Sequence, residues 1–271
     1  MAATRTWRGR LFFGPGRLLY AGPVGETRLH AHHSFQLVLS LGEPVVLGDS
    51  HQRTRACQAA IIPPDVGHAV VGMASAAVLL HASPDDLAGR SLRALGTTGE
   101  GVEDWRRAGE HLLSLTSAAL PRSWHEAESL TQAMLAALRV DTVSPRPAHP
   151  AVKRLLRLLP ESLDGDVRLE TLAHQLGLSA SRLSHLFSAE VGLPLRPYIL
   201  WLRLHRAAEH LRAGAPLTSA AHAAGFTDSA HLSHVFRRMF GLSPSEIAGV
   251  VEWVLPPRDS GFLQARGAPL A

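Results

Sequence analysis

The chain has 271 residues, of which 46% are apolar and 18% charged, a balance typical of one or two folded domains and not of a disordered chain. Its net charge of +4 permits a polyanionic partner. The single cysteine, Cys57, excludes an internal disulfide framework. Together with the absence of an apolar run long enough to span a bilayer and of a secretory signal pattern, it predicts a cytoplasmic protein without a membrane partner.

Residues 1–83 carry short apolar runs separated by turns that contain glycine or proline. The clearest runs are residues 35–39, 45–47, 60–62 and 77–80. Short strands at regular spacing, with turn residues between them, are typical of a β-sandwich or β-barrel. We therefore predict an N-terminal β-domain.

A histidine cluster lies within this predicted β-domain. On a strand, His30 and His32 would share one face, and His33 would point to the other. His68 follows in a later segment, after a turn rich in proline. Three imidazoles can hold zinc, copper, nickel or iron and leave a coordination position open.

Segments 25–42 and 61–70 resemble the two motifs of cupins, which are small β-barrels. The resemblance implies a site for a divalent transition metal or another effector, formed by His30, His32, Gln36 and His68. Gln36 stands where metal-binding cupins have glutamate, and a neutral amide is a poorer ligand. The alternative is a barrel that keeps the cupin shape and these histidines without binding metal, so no cofactor is assigned with certainty.

Residues 84–140 have the pattern of helices. Ser83 and Pro84 form a helix-start signal. Apolar spacing then predicts amphipathic helices over residues 102–120 and 124–140. These helices could pack on the barrel, or residues 102–140 could form the interface of a homodimer.

Residues 141–150 contain three prolines and predict a stiff linker. Residues 151–254 have a helical pattern almost throughout, and residues 255–271 predict a loose tail. The predicted fold class is therefore α+β: a cupin-like β-barrel with helices, followed by an all-α domain.

The C-terminal domain contains an internal repeat. Each copy reads as a short helix, a turn glycine, a capping side chain and a second helix. Gly177 and Gly225 would supply the positive φ of the turn, and Ser179 and Asp228 would cap the helices that follow. This is the pattern of a helix-turn-helix. One copy alone would fit an ordinary helical domain, but two copies with the glycine in place favour DNA binding.

The second helix of each motif is amphipathic. Leu183 with Phe187, and Leu232 with Phe236, are spaced four residues apart and would face inward. The opposite faces carry short polar side chains, which suit a helix that lies in the DNA major groove.

Further residues of this domain, within 152–251, resemble the signature of the AraC/XylS family of transcription regulators. In the first copy they are Phe187, Gly192, Tyr198, Ile199, Arg203, Ala207 and Leu211. In the second copy they are Gly225, Phe226, Phe236, Arg237, Arg238, Phe240, Gly241, Leu242, Ser243 and Pro244. One departure is Ile247–Ala248, where the family often has an aromatic residue followed by arginine, so one expected basic contact is missing.

The resemblance implies that a long helix, over residues 195–212, places two recognition helices in successive major grooves roughly 34 Å apart. The residues expected to contact base edges are Ser181, Arg182, Ser184, His185, Ser229, Ser233 and His234. Arg182 has the planar fork that reads guanine O6 and N7. The residues expected to contact phosphates are Lys153, Arg154, Arg237 and Arg238.

The predicted function is a one-component transcription switch without enzyme activity. Its partners would be double-stranded DNA, RNA polymerase and an effector in the barrel. One alternative is a cupin enzyme, such as a metal dioxygenase, with a DNA-binding appendage; Gln36 and the short barrel disfavour it. The other is a nucleoid-type DNA binder that lacks an effector.

Overall fold

The computed structural model describes residues 7–14, 16–84, 87–94, 99–139, 149–163, 167–191, 193–240, 243–247 and 251–257. The chain divides into two compact units. The first comprises Met1–Pro84, Ala88–Thr142 and Ser233–Val254, and the second comprises Asp85–Leu87, Val143–Leu232 and Leu255–Ala271. None of the helices within the described ranges has the length and apolar character needed to cross a membrane.

The first unit contains two β-sheets. Their strands are β1 Arg10–Gly14, β2 Arg17–Val24, β3 Phe35–Ser40, β4 Val45–Asp49, β5 Thr54–Cys57, β6 Ala59–Ile62, β7 His68–Val70, β8 Ala74–Ala82 and β9 Glu252–Val254. One sheet has the order β6-β3-β8-β2-β1-β9, and the other has the order β5-β4-β7. The four apolar runs singled out in the sequence fall within β3, β4, β6 and β8, which confirms the predicted β-domain. The two-sheet architecture is consistent with a cupin-like fold.

Strand β3 explains why the sequence reads as apolar runs and not as a simple alternation. It pairs with β6 on one side and β8 on the other, and all six of its residues are buried. A strand that is covered on both faces needs apolar side chains at successive positions. Side chains of the following helices, such as Leu92, Leu112 and Met134, join β-sheet residues in one hydrophobic core.

These helices are α1 Leu87–Ala94, α2 Val102–Ala108 and α3 Trp124–Ala137. The prediction of one helix over 102–120 is wrong, because α2 ends at Ala108 and a 3-10 helix follows at Glu110–Leu115. Gly109 separates the two where the backbone crosses β6: a Cβ added there would lie 2.5 Å from the Ala60 nitrogen. Residues 85 and 86, between the predicted helix-start signal at Ser83 and Pro84 and the first residue of α1, lie outside the described residues.

Helix α4, Pro150–Leu158, corrects the end of the predicted linker. Pro150 opens the helix, since a proline in the first turn needs no backbone N–H donor. The His149 side chain caps this helix by accepting a hydrogen bond of 3.2 Å from the Ala151 N–H. Residues 141–148 of the predicted linker lie outside the described residues.

The remaining helices are α5 Leu169–Gln175, α6 Ala180–Val191, α7 Leu195–Arg212, α8 Leu217–Ala223, α9 Ser229–Phe240 and α10 Pro244–Ile247. Helix α7 has the predicted bounds. The prediction of an all-α domain that extends to residue 254 is wrong at β9, which pairs in parallel with β1. Trp253 of β9 stacks on Phe13, with ring centroids 5.6 Å apart, so the sheet supplies a partner for this segment. Of the predicted tail, 258–271 lies outside the described residues.

Candidate DNA interface and candidate metal centre

Both helix-turn-helix turns have the predicted backbone geometry. Gly177 has φ 67° and Gly225 has φ 79°, so both lie in the left-handed region that glycine adopts without strain. Their surroundings differ: a Cβ on Gly177 would meet nothing within 4 Å, but one on Gly225 would lie 2.2 Å from the Leu163 carbonyl oxygen. Gly225 is therefore fixed by close packing as well as by its φ.

The predicted caps are also confirmed. The Arg182 N–H donates to Ser179 Oγ at 3.2 Å, and the His231 N–H donates to Asp228 Oδ1 at 2.7 Å. Ala173 and Ala221, the small residues four positions before each turn glycine, are buried. Sequence and structure therefore agree on both motifs.

The polar side chains predicted to contact base edges lie on α6 and α9. Ser181, Arg182, His185 and His234 are exposed, and Ser184, Ser229 and Ser233 are half-buried. The predicted phosphate contacts, Lys153 and Arg154 on α4 and Arg237 and Arg238 on α9, are exposed. Each of these side chains thus retains surface that a nucleic acid can reach.

The inward faces of α6 and α9 have different partners. Leu183 and Phe187 of α6 lie in the hydrophobic core of the second unit, as predicted. In α9, the segment from Ser233 onward belongs to the first unit. There Phe236 contacts Trp253, and Phe240 contacts His81 at a ring separation of 5.9 Å.

Three imidazoles meet inside the first unit. One ring nitrogen from each of His30, His32 and His68 lies within 4.8 Å of the others, and ring centroids of His30 and His32 lie 4.4 and 4.7 Å from that of His68. His32 and His68 are buried, and His30 is half-buried. The predicted convergence of these three histidines is therefore present.

Strand alternation is not what brings them together. His30 and His32 precede β3, and His30 pairs with His68 through an isolated bridge in which each N–H donates to the other's carbonyl, at 3.0 and 2.9 Å. His33 points elsewhere, as predicted, and its Nδ1 lies 2.8 Å from Asp65 Oδ2. The His30–His68 bridge, and not alternation along one strand, therefore brings these histidines together.

Hydrogen bonds fix the tautomers of two of these rings. Nδ1 of His30 lies 2.9 Å from the Arg28 carbonyl, and Nδ1 of His68 lies 2.9 Å from the Val66 carbonyl. Because a carbonyl only accepts, Nδ1 carries the proton in both rings and Nε2 carries a lone pair. Nε2 of His68 is buried and has no hydrogen-bond partner among the described residues. A carbonyl behind an imidazole whose other nitrogen is open is the usual arrangement of metal-binding histidines.

Gln36 lies beside the three histidines and is buried. Its Oε1 lies 2.9 Å from His32 Nε2, so the structure shows it as a hydrogen-bond partner of a histidine. On the other side of the same ring, Nδ1 of His32 lies 3.0 Å from Ser34 Oγ.

A fourth histidine, His81, was missed by the sequence analysis. It lies on β8, directly opposite Gln36 of β3, and is buried. Its ring lies 4.7 Å from that of His32, and its Nδ1 lies 3.1 Å from Ser34 Oγ. The one sequence signal was a histidine within an otherwise apolar run.

Burial keeps the imidazoles of His32, His68 and His81 neutral. It lowers the pKa of His32 to about 4 and lowers the pKa values of His68 and His81 well below the usual value, because the charged ring loses its hydration. At neutral pH the rings therefore present lone pairs, which a metal ion requires.

His30, His68 and His81 border a cavity of about 590 Å³, a volume that includes space open to solvent. Its lining residues are Trp7, Leu11, Leu18, Tyr20, Thr27, His30, Gln36, His68, Val70, Leu79, His81, Phe236 and Phe240. Apolar and aromatic walls with a few polar groups are typical of a small-ligand site.

The C-terminal part of the chain is similar to known proteins. A family model described as a helix-turn-helix domain matches residues 172–249. The HTH-type transcriptional activator RhaS of Escherichia coli strain SE11 is 36% identical over 94 residues, and RhaS of strain K12 / DH10B matches equally. The match covers 34% of this chain and 34% of RhaS, so the chain spans about a third of the length of these curated relatives.

Two solved structures illustrate the structural likeness. The C-terminal domain of AraT, a response regulator from Geobacillus stearothermophilus, is 26% identical, with a TM-score of 0.35 over 36% of this chain and 83% of that one. ToxT from Vibrio cholerae strain SCE256, bound to an unsaturated fatty acid, is 10% identical, with a TM-score of 0.44 over 88% of this chain and 96% of that one.

Proposed function

We propose that this chain, which is a member of the AraC/XylS family of transcription regulators, binds specific DNA sites and changes its DNA occupancy when a ligand fills the barrel. The observation that carries DNA binding is the duplicated helix-turn-helix, with both turn glycines at positive φ and both caps formed. RNA polymerase is a proposed partner, and so is a second copy of the chain that docks through residues 102–140.

The side chains proposed to contact DNA form two groups, one for base edges and one for phosphates. Base edges are read by Ser181, Arg182, Ser184 and His185 on α6 and by Ser229, Ser233 and His234 on α9. Lys153, Arg154, Arg237 and Arg238 neutralise phosphates and set the salt dependence of binding without selecting a sequence.

For the ligand, we propose a divalent transition metal held by His30, His32 and His68. The buried Nε2 of His68 supports this assignment, because an unpartnered polar atom in an apolar interior is costly unless something binds it. The carbonyls behind His30 and His68 supply the required orientation. When bound, the metal would supply a positive charge and fix the three rings in place, and the aromatic wall would accept an apolar portion of an organic ligand.

Metal binding is tested by elemental analysis and zinc titration of protein purified without an affinity tag. We expect one zinc ion per chain, and we expect His68→Gln to weaken zinc binding by at least about 100-fold because one of three ligands is lost. His51→Gln is the matched control, since His51 is exposed in a turn and should leave zinc binding unchanged.

Failure of the wild-type protein to bind zinc, copper, nickel or iron would end the metal proposal. So would equal affinities of wild type and His68→Gln. Neither result would contradict the proposal that the helix-turn-helix motifs bind DNA.

A further inference from the structure

The barrel supplies hydrogen-bond donors to the end of the second recognition helix. The last carbonyls of an α-helix have no partner within the helix. In α9, which ends at Phe240, the Arg238 carbonyl accepts from the His33 N–H at 2.6 Å, and the Met239 carbonyl accepts from the Ser34 hydroxyl at 2.8 Å. Residues 33 and 34 therefore act as a C-terminal cap for α9, contributed by a segment distant in sequence.

The same Ser34 oxygen contacts the imidazole site. Nδ1 of His32 lies 3.0 Å from Ser34 Oγ, and Nδ1 of His81 lies 3.1 Å from it. A hydroxyl has one proton to donate and two lone pairs that accept. With its proton directed at Met239, Ser34 can accept from both rings, and each of its hydrogen-bonding positions is then filled.

His32 cannot satisfy all of its own contacts. Its Nε2 faces Gln36 Oε1 at 2.9 Å and its Nδ1 faces the Ser34 carbonyl oxygen at 3.2 Å, and both oxygens only accept. A neutral imidazole has a single N–H. The single N–H proton of His32 is therefore either on Nδ1 or on Nε2, and only one of the two contacts is a hydrogen bond donated by the ring.

Each choice has a consequence for α9. If the proton is on Nε2, it is donated to Gln36, the Ser34 hydroxyl turns to donate to Nδ1, and the Met239 carbonyl loses its donor. If the proton is on Nδ1, it is donated to Ser34, the Ser34 hydroxyl stays on Met239, and Nε2 presents a lone pair. A metal ion bound at Nε2 is compatible with the second arrangement only.

We propose that Ser34 is a positioning residue through which a metal ion at His30, His32 and His68 stabilises the C-terminal end of α9 and so strengthens DNA binding. This inference rests on the proposed function. The affected helix also carries Ser229, Ser233 and His234, the proposed base contacts of the second motif. Phe236 and Phe240 of the same helix line the cavity that the histidines also line, so residues of α9 and residues of the proposed metal site border the same cavity.

The test is DNA affinity measured with and without zinc, by fluorescence anisotropy, on a duplex selected from a random pool by the wild-type protein. Zinc is expected to raise the affinity of wild type by roughly fivefold or more, which is the usual lower range for coupled sites. Ser34→Ala is expected to keep zinc binding and to lose this increase. Ser34→Thr, which keeps a hydroxyl, is expected to retain it.

Ser40→Ala is the matched control. Ser40 is also buried on the barrel side and donates its hydroxyl proton to a backbone carbonyl, that of Glu43. Within the part of the chain that the structure describes, its hydroxyl contacts backbone atoms of Gly42, Glu43 and Ala76 and no atom of α9, so zinc should raise the DNA affinity of this variant as in wild type.

A second measurement determines directly which ring nitrogen of His32 carries the proton. In zinc-saturated wild type, the side-chain ¹⁵N shifts of His32 should show protonation at Nδ1. Protonation at Nε2 would overturn the inference whatever the variants do, and this readout does not require that Ser34→Ala fold.

The outcomes separate the two proposals. A wild-type protein that binds no zinc contradicts the metal site itself. A wild-type protein that binds zinc with unchanged or weaker DNA affinity, or a Ser34→Ala variant that retains the full increase, contradicts the role of Ser34 and leaves the metal site standing.

Discussion

Replacing Gly225 with alanine should destabilise the second unit by roughly 2–5 kcal/mol. A left-handed φ costs an alanine about 1–2 kcal/mol. The added Cβ would also lie 2.2 Å from the Leu163 carbonyl oxygen, so the backbone must move, at a further cost of about 1–3 kcal/mol. Thermal unfolding followed by circular dichroism measures the loss.

Gly177→Ala provides the matched control, since Gly177 holds the same turn position in the first motif with φ 67°. Nothing lies within 4 Å of its missing Cβ, so only the conformational cost of about 1–2 kcal/mol applies. Equal destabilisation by the two substitutions would mean that contact with Leu163 does not constrain the second turn.

Replacing Arg182 with alanine should remove discrimination at one base position. Arg182 is exposed on α6, beyond the cap that Ser179 forms. A bidentate arginine–guanine contact contributes about 1–3 kcal/mol of discrimination, or roughly 5- to 150-fold in affinity for the preferred base. The measurement compares the affinities of wild type and variant for the selected site and for its single-base changes.

Arg154→Ala is the control for charge alone. Arg154 is exposed on α4 and is proposed to contact a phosphate. Its loss should weaken binding to specific and random DNA by the same factor and make the salt dependence shallower by about one unit. If Arg182→Ala behaved in this way too, Arg182 would be a phosphate contact and not a base reader.

Features set by neighbouring residues could be predicted from the sequence. Gly177, Gly225, Ser179 and Asp228 act on their own turns, so their φ values and caps follow from residue type. The apolar runs of β3 and β8 similarly mark buried strands, because each run is long enough to fill both faces.

Features that depend on pairing between segments distant in sequence could not be predicted from the sequence. His81 lies beside His32 because β3 pairs with β8, and the helix predicted over 102–120 breaks at Gly109 because it crosses β6. The four-residue spacing of Phe236 and Phe240 identifies an inward face of α9, but it does not reveal that this face lines the pocket beside the histidines.

The central claim is that two helix-turn-helix motifs read DNA, and selection of bound duplexes from a random pool tests it most directly. We expect the selected sites to contain two conserved elements whose centres are about one helical turn, or ~10 base pairs, apart. Recovery of no preferred sequence, or of a single short element, would contradict the claim.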